Sequence, residues 1–137
     1  MSNPAVLKGS CLCRAIGYEI DRLNSPTVHC HCLTCQKAHA AAFASTAGVL
    51  REHFRWTRGQ EKLASFASSP DKFRHFCSVC GSHLIAQLPN QAHVIVRVAT
   101  LDDDPQLTPT EHLWTEHARA WLGTNDIPCY LQFNPHR

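Results

Sequence analysis

The sequence has no run of the ~20 apolar residues needed to cross a bilayer. Its most apolar stretch, Ala38 to Leu50, is Ala-rich, too short, and interrupted by His39, Ser45 and Thr46. The opening Met1-Ser2-Asn3-Pro4-Ala5-Val6-Leu7-Lys8 has no basic start followed by an apolar run, so nothing there resembles a secretory signal. Charge of one sign is not in excess. Thirteen Lys and Arg stand against eleven Asp and Glu, and the net charge of +2 is too small to imply a nucleic-acid or membrane partner from bulk electrostatics. Repeats, linkers and low-complexity tracts are missing too. With 44% hydrophobic and 18% charged residues in 137 positions, the chain is expected to be one folded domain over 1–137, soluble and cytoplasmic.

Cysteine is the residue present in quantity. Eight cysteines in a reducing compartment point to metal ligands or reactive thiols more than to a disulfide framework. They fall as Cys11-Leu12-Cys13, Cys30-His31-Cys32-Leu33-Thr34-Cys35 and Cys77-Ser78-Val79-Cys80, with Cys129 alone. A tetrahedral zinc with Zn–S bonds of ~2.3 Å keeps its sulfurs ~3.8 Å apart, so each ligand pair must come from neighbouring backbone positions aimed the same way. Residues i and i+2 of an extended segment achieve this, which suits Cys11 with Cys13 and Cys30 with Cys32. Residues i and i+3 of a tight turn also do, which suits Cys32 with Cys35 and Cys77 with Cys80.

Seven clustered thiolates divide into four and three. The preferred division puts Cys11, Cys13, Cys77 and Cys80 on one zinc and Cys30, Cys32 and Cys35 on another, two Zn²⁺ per chain. A four-thiolate zinc is full and normally structural; a three-ligand zinc keeps a position for water or substrate. The competing division makes a zinc ribbon of Cys32, Cys35, Cys77 and Cys80 and strands the other three. Spacing alone leaves both open.

Short spans that alternate or carry β-branched and aromatic residues predict strands at Ala15 to Ile20, Phe43 to Leu50, Phe54 to Thr57, Leu63 to Phe66, Phe73 to Phe76, His83 to Gln87 and His93 to Val98. Turn residues separate them, as in Asn24-Ser25-Pro26, Ser68-Ser69-Pro70-Asp71 and Pro89-Asn90. The fold class is therefore mostly β and antiparallel, with one short helix from Leu33 to about Ala41 that Thr34 helps to cap. Asp102 to Asp104 read as a turn rather than a calcium loop. Cys129 reads as a partly buried apolar residue and Trp56, Trp114 and Trp121 as core or groove packing. His29 and His31 should point away from the sulfur face.

These residues resemble the glutathione-dependent formaldehyde-activating enzyme family, which includes centromere protein V-like proteins. Gly9-Ser10-Cys11-Leu12-Cys13 with Ile16 and Tyr18 looks like its opening motif. Cys30-His31-Cys32-Leu33-Thr34-Cys35-Gln36-Lys37 looks like the second, and Phe76-Cys77-Ser78-Val79-Cys80-Gly81-Ser82 like the third. His112-Leu113-Trp114 and Ala120-Trp121 are similar to its C-terminal segment. The resemblance implies coiled antiparallel sheets, a β-tent, with the four-thiolate zinc structural and the zinc of Cys30, Cys32 and Cys35 catalytic. Leu12 stands where the family often has His, and Arg14 where it often has Gly.

Three thiolates make zinc a weaker Lewis acid than three histidines do, and a soft, sulfur-rich site favours a further sulfur donor. This matches the family's reaction, in which a glutathione thiol and formaldehyde join or separate: a carbon–sulfur lyase on an S-hydroxymethylglutathione-type adduct or related small thiol. Lys37, Arg51, Arg55 and Arg14 are candidates to meet the glutathione carboxylates. The alternative is a zinc-stapled nucleic-acid- or protein-binding module without catalysis. Six basic against three acidic residues between Arg51 and Arg74 would serve it.

Overall fold

A computed structural model describes residues 6–123 and 126–136. Its strands are β1 (Leu7–Ser10), β2 (Gly17–Ile20), β3 (Val28–Cys30), β4 (Ala44–Leu50), β5 (Phe54–Arg58), β6 (Leu63–Ser69), β7 (Lys72–Cys77), β8 (His83–Gln87), β9 (His93–Arg97) and β10 (Glu111–Leu113), with one α-helix, α1 (Leu33–His39), after β3. They form a three-stranded sheet, β1-β2-β5, and a seven-stranded sheet, β10-β3-β4-β9-β8-β7-β6. All pairings are antiparallel except β10 with β3. The expected mostly β class is what forms.

Period-two alternation decides which face of the large sheet is apolar. Val94 and Val96 of β9 and Ile85 of β8 point into one cluster with Ile16, Tyr18 and Ile20, so the small sheet packs on this face. Each such fully buried side chain contributes ~1.5–3 kcal/mol. Tyr18 stacks on Phe54 and meets the edge of Trp56, and its hydroxyl bonds Thr100 Oγ1 at 2.6 Å. Gly9 runs so close to the Tyr18 ring that a Cβ there would enter it.

The opposite face carries a different set. Arg74 pairs with Ala86, and Ala86 with Ile95, so Arg97, two residues on from Ile95, shares their face. α1 lies at this side, near the start of β4.

Three strands lay outside the alternation signal: β1, β3 and β10, each of only three or four residues. β10 docks on β3, and His31 N–H donates to Leu113 O at 2.9 Å. The segment before it is tied to β1: Ser10 Oγ donates to Asp102 and Lys8 N–H to Asp103 Oδ2. The helix starts at Leu33 as expected but differs in its cap and in its end. Its N-cap is Cys32, whose sulfur accepts from Cys35 N–H at 3.2 Å, so Thr34 does not cap it. It stops at His39 because Ala40 turns left-handed, φ 49°. Cys129, expected to be partly buried, is exposed. Of the tryptophans, Trp56 packs against the core, while Trp114 and Trp121 are exposed.

Candidate metal centres

The connection after β1 and the turn after β7 bring four sulfurs together. Cys11, Cys13, Cys77 and Cys80 each offer one Sγ, all within 4.8 Å of one another. The Cys11–Cys13 distance is 3.6 Å and the Cys13–Cys77 distance 3.8 Å. A tetrahedral ion with sulfur ligands requires ~3.8 Å, and these two distances match it.

Local hydrogen bonds shape this cluster. Cys77 Sγ accepts from the amides of Val79 (3.3 Å) and Cys80 (3.5 Å), and Cys11 Sγ from the amide of Ile16 (3.3 Å). Gly81, at φ 82°, closes the second turn with its N–H on Cys77 O at 2.8 Å. Arg14 closes the first at φ 66°, a left-handed conformation that glycine adopts without strain and arginine does not. Ser82 links the two turns: its Oγ accepts from Leu12 N–H at 3.0 Å and bonds Cys80 Sγ at 3.2 Å, which pulls the Cys80 thiol down to about 5. Cys11 and Cys77 are buried.

The second cluster holds Cys30, Cys32 and Cys35, again within 4.8 Å of one another. Among the described residues no fourth His, Cys, Asp or Glu joins it. The ribbon grouping of Cys32 and Cys35 with Cys77 and Cys80 is not formed. Cys30 ends β3, Cys32 caps α1 and Cys35 lies in its first turn, so strand end and helix start together aim three sulfurs at one point.

The thiols of this cluster differ. Burial pushes Cys30 up to about 12. Burial acts the same way on Cys32 but is outweighed by hydrogen bonds from Cys35 and Cys30 and by the charge of Arg74, and its value is lowered. A bound divalent cation would deprotonate all three outright.

Side chains around the cluster are fixed. His31, 2% exposed, bonds His112 through Nε2···Nδ1 at 2.9 Å. His29 Nδ1 bonds Ser45 Oγ at 2.9 Å. Gln36 Nε2 donates to His31 O and His117 O, and Gln36 Oε1 accepts from Arg119. The segment around β10 thereby locks onto α1 behind the sulfurs.

A sequence profile of the glutathione-dependent formaldehyde-activating enzyme family matches residues 6–117, a span that contains both cysteine clusters. The chain belongs to this family. A crystal structure of a Rhodobacter sphaeroides protein is similar: 27% identical, covering 77% of this chain and 98% of its own, with a TM-score of 0.64. The two cysteine clusters inside the matched span fit metal binding. Among the described residues no helix is long and apolar enough to cross a membrane.

Of the basic residues expected to meet carboxylates, Lys37 lies on α1, the helix that carries Cys35, and lines a groove along it. Arg51 is engaged by Gln87, Leu88 and Gln91, and Arg55 by Glu19 and Asp21. The charged residues nearest this cluster are ones the sequence reasoning missed. Arg74 Nη2 lies 3.9 Å from Cys35 Sγ, and Arg97 shares the sheet face of Arg74. A signal existed: each is an arginine set into a strand whose other residues are largely apolar or aromatic.

Proposed function

We propose that this formaldehyde-activating family member is a zinc-dependent carbon–sulfur lyase or synthase acting on the adduct of a small thiol, such as glutathione, with an aldehyde. In this reading Cys11, Cys13, Cys77 and Cys80 hold a structural zinc, and Cys30, Cys32 and Cys35 hold the catalytic one. The observation that carries it is the inequality of the clusters, four sulfurs against three. An all-sulfur donor set suits thiophilic ions such as zinc. Zinc bound by three sulfurs would supply a vacant coordination position at which an incoming thiol loses its proton.

The chain's own part is to hold and to orient. The Cys32 cap and the His31–His112 and Gln36 bonds fix the three sulfurs in advance, so little ordering is left for the moment of reaction. Arg74 places a positive charge beside the sulfurs, which favours an anionic sulfur nucleophile there. In synthesis the thiolate sulfur attacks the carbonyl carbon and a C–S bond forms. The carbonyl π pair moves to oxygen, which takes a proton from solvent. Cleavage is the reverse.

The rival module reading has less support, because four of the six basic residues of its stripe are engaged or buried. Arg51 and Arg55 are engaged as described, Arg58 donates to Arg14 O, and Arg74 is buried. The test is to titrate purified protein with glutathione while following metal content and the sulfur coordination of the metal by X-ray absorption. Two zinc ions per chain, one gaining a sulfur neighbour, is the expected result. Unchanged coordination with saturating thiol would overturn the reading.

A further inference from the structure

Among the described residues nine buried side-chain polar atoms lack a hydrogen-bond partner, and six belong to four residues: Nε and Nη1 of Arg74, Nε and Nη2 of Arg97, Nε2 of His39 and Nδ1 of His83. The four are neighbours. The His39 and His83 rings lie 4.8 Å apart, and each feels the charge of both arginines. Arg74 is 2% exposed and Arg97 5%. Neither is paired with a carboxylate; the ion pairs of the described residues involve Arg55 and His117 instead. Unmet polar atoms concentrated in one place, four of them guanidinium donors, are rare in native proteins and signal a missing partner.

Charge counting gives the sign of that partner. Three thiolates with one divalent ion carry −1, two guanidiniums +2, and half-buried Lys72 adds a third cation. With neutral water in the ion's open position, at least one positive charge remains uncompensated behind α1, and such a charge is costly to bury. Burial, followed by repulsion from Arg74, accordingly draws Arg97 down to about 10.

The same place opens to solvent through a groove of about 630 Å³ between α1 and the β6–β8 strands, which reaches Arg74 and His83. Its walls include Leu33, Phe66 and Phe76, and Lys37 also lines it. Phe66 is 64% and Leu33 42% exposed, so the groove presents apolar surface to water on either side of a buried cation.

We propose that this groove binds a small organic carboxylate with an apolar body, the carboxylate answering Arg74, whose charge Arg97 reinforces from within the sheet, the body lying on Phe66, Phe76 and Leu33. Joined to the proposed function, on which this second statement rests, the site makes the preferred thiol an apolar thiol acid rather than the polar glutathione tripeptide. The carboxylate site itself needs no thiol.

The experiment is calorimetry on the full zinc-loaded chain with 3-phenylpropanoate, its neutral amide and inorganic phosphate as probes. Phenylpropanoate should bind at least about tenfold tighter than either of the others, since the amide lacks the charge and phosphate the apolar body. Arg74→Met should lose about tenfold in phenylpropanoate affinity with no fall in melting temperature, because an uncompensated buried charge has been removed. Phe66→Ser, at an exposed position, should lose about fivefold and keeps the test decisive if Arg74→Met does not fold. Equal binding of the amide, equal binding of phosphate, or no effect of Phe66→Ser would overturn the proposal. Thiol coordination is read separately by X-ray absorption. If the carboxylate binds but no thiol reaches the metal, the function reading fails alone; if thiols coordinate but the carboxylate does not bind, the groove proposal fails alone.

Discussion

Replacing Cys77 and Cys80 together by alanine, and Cys32 and Cys35 together in a second variant, removes two sulfurs from each cluster but not the same amount of stability. A metal held by the first cluster cross-links positions as far apart as Cys13 and Cys77, 64 residues. Treated as a covalent cross-link, a closed loop of that length restricts the unfolded chain by ~4 kcal/mol at 25 °C. The second cluster spans only Cys30 to Cys35, and the same relation gives ~2 kcal/mol for a loop of about five residues. Secondary losses act on both sides. The first variant also empties the fully buried Cys77 position, and the second removes the Cys32 cap of α1, worth ~1 kcal/mol. For a chain of this size ~4 kcal/mol corresponds to a melting-temperature drop of ~15 °C, and ~2 kcal/mol to about half of that. Thermal melts followed by circular dichroism in excess zinc, with zinc content measured on the same samples, give the comparison. Each variant should retain one ion. Equal drops, or a larger one for the Cys32/Cys35 variant, would refute the division of labour between the clusters.

Four further outcomes are expected. Arg14→Gly should raise stability by ~0.5–1 kcal/mol, since φ 66° strains any residue with a Cβ; denaturant titration showing a loss would reject this. Gly9→Ala should cost ~1–3 kcal/mol, because Tyr18 is held by Thr100 and cannot retreat from the new methyl group; a melt within error of the parent would contradict it. Burial, reinforced by Arg97, holds His39 down at about 3 and also lowers His83. Below the ordinary histidine value of ~6.5 the unfolded chain then binds more protons than the folded one, so stability is complete above that pH and declines as pH falls towards 3. Melting temperatures between pH 7.5 and 5 should decline, and less steeply in His39→Phe; identical slopes would remove His39 from the account. Finally, a limiting chelator should strip one ion well before the other, with the fold intact after the first; simultaneous release with unfolding would show the clusters to be equivalent.

The sequence by itself determined whatever depends on near neighbours. Spacings of two and three residues aim cysteine pairs in a common direction whatever the rest of the chain does, so the local pairs were legible from the string. Longer strands such as β8 and β9 were legible through their short apolar runs, β-branched in β9, bounded by turn residues. Strands of three or four residues, β1, β3 and β10, are too short to show a period and form because a partner edge is present. The cap of α1 fell to Cys32 rather than Thr34, since the direction of the chain leaving β3 decided which side chain reached the Cys35 amide. Only the tertiary structure could decide which cysteine pairs share a centre, and only it could place Arg74 beside Arg97. Those arginines are 23 positions apart in the chain and become neighbours through the registers of β7 with β8 and β8 with β9, and no local preference encodes a register between strands.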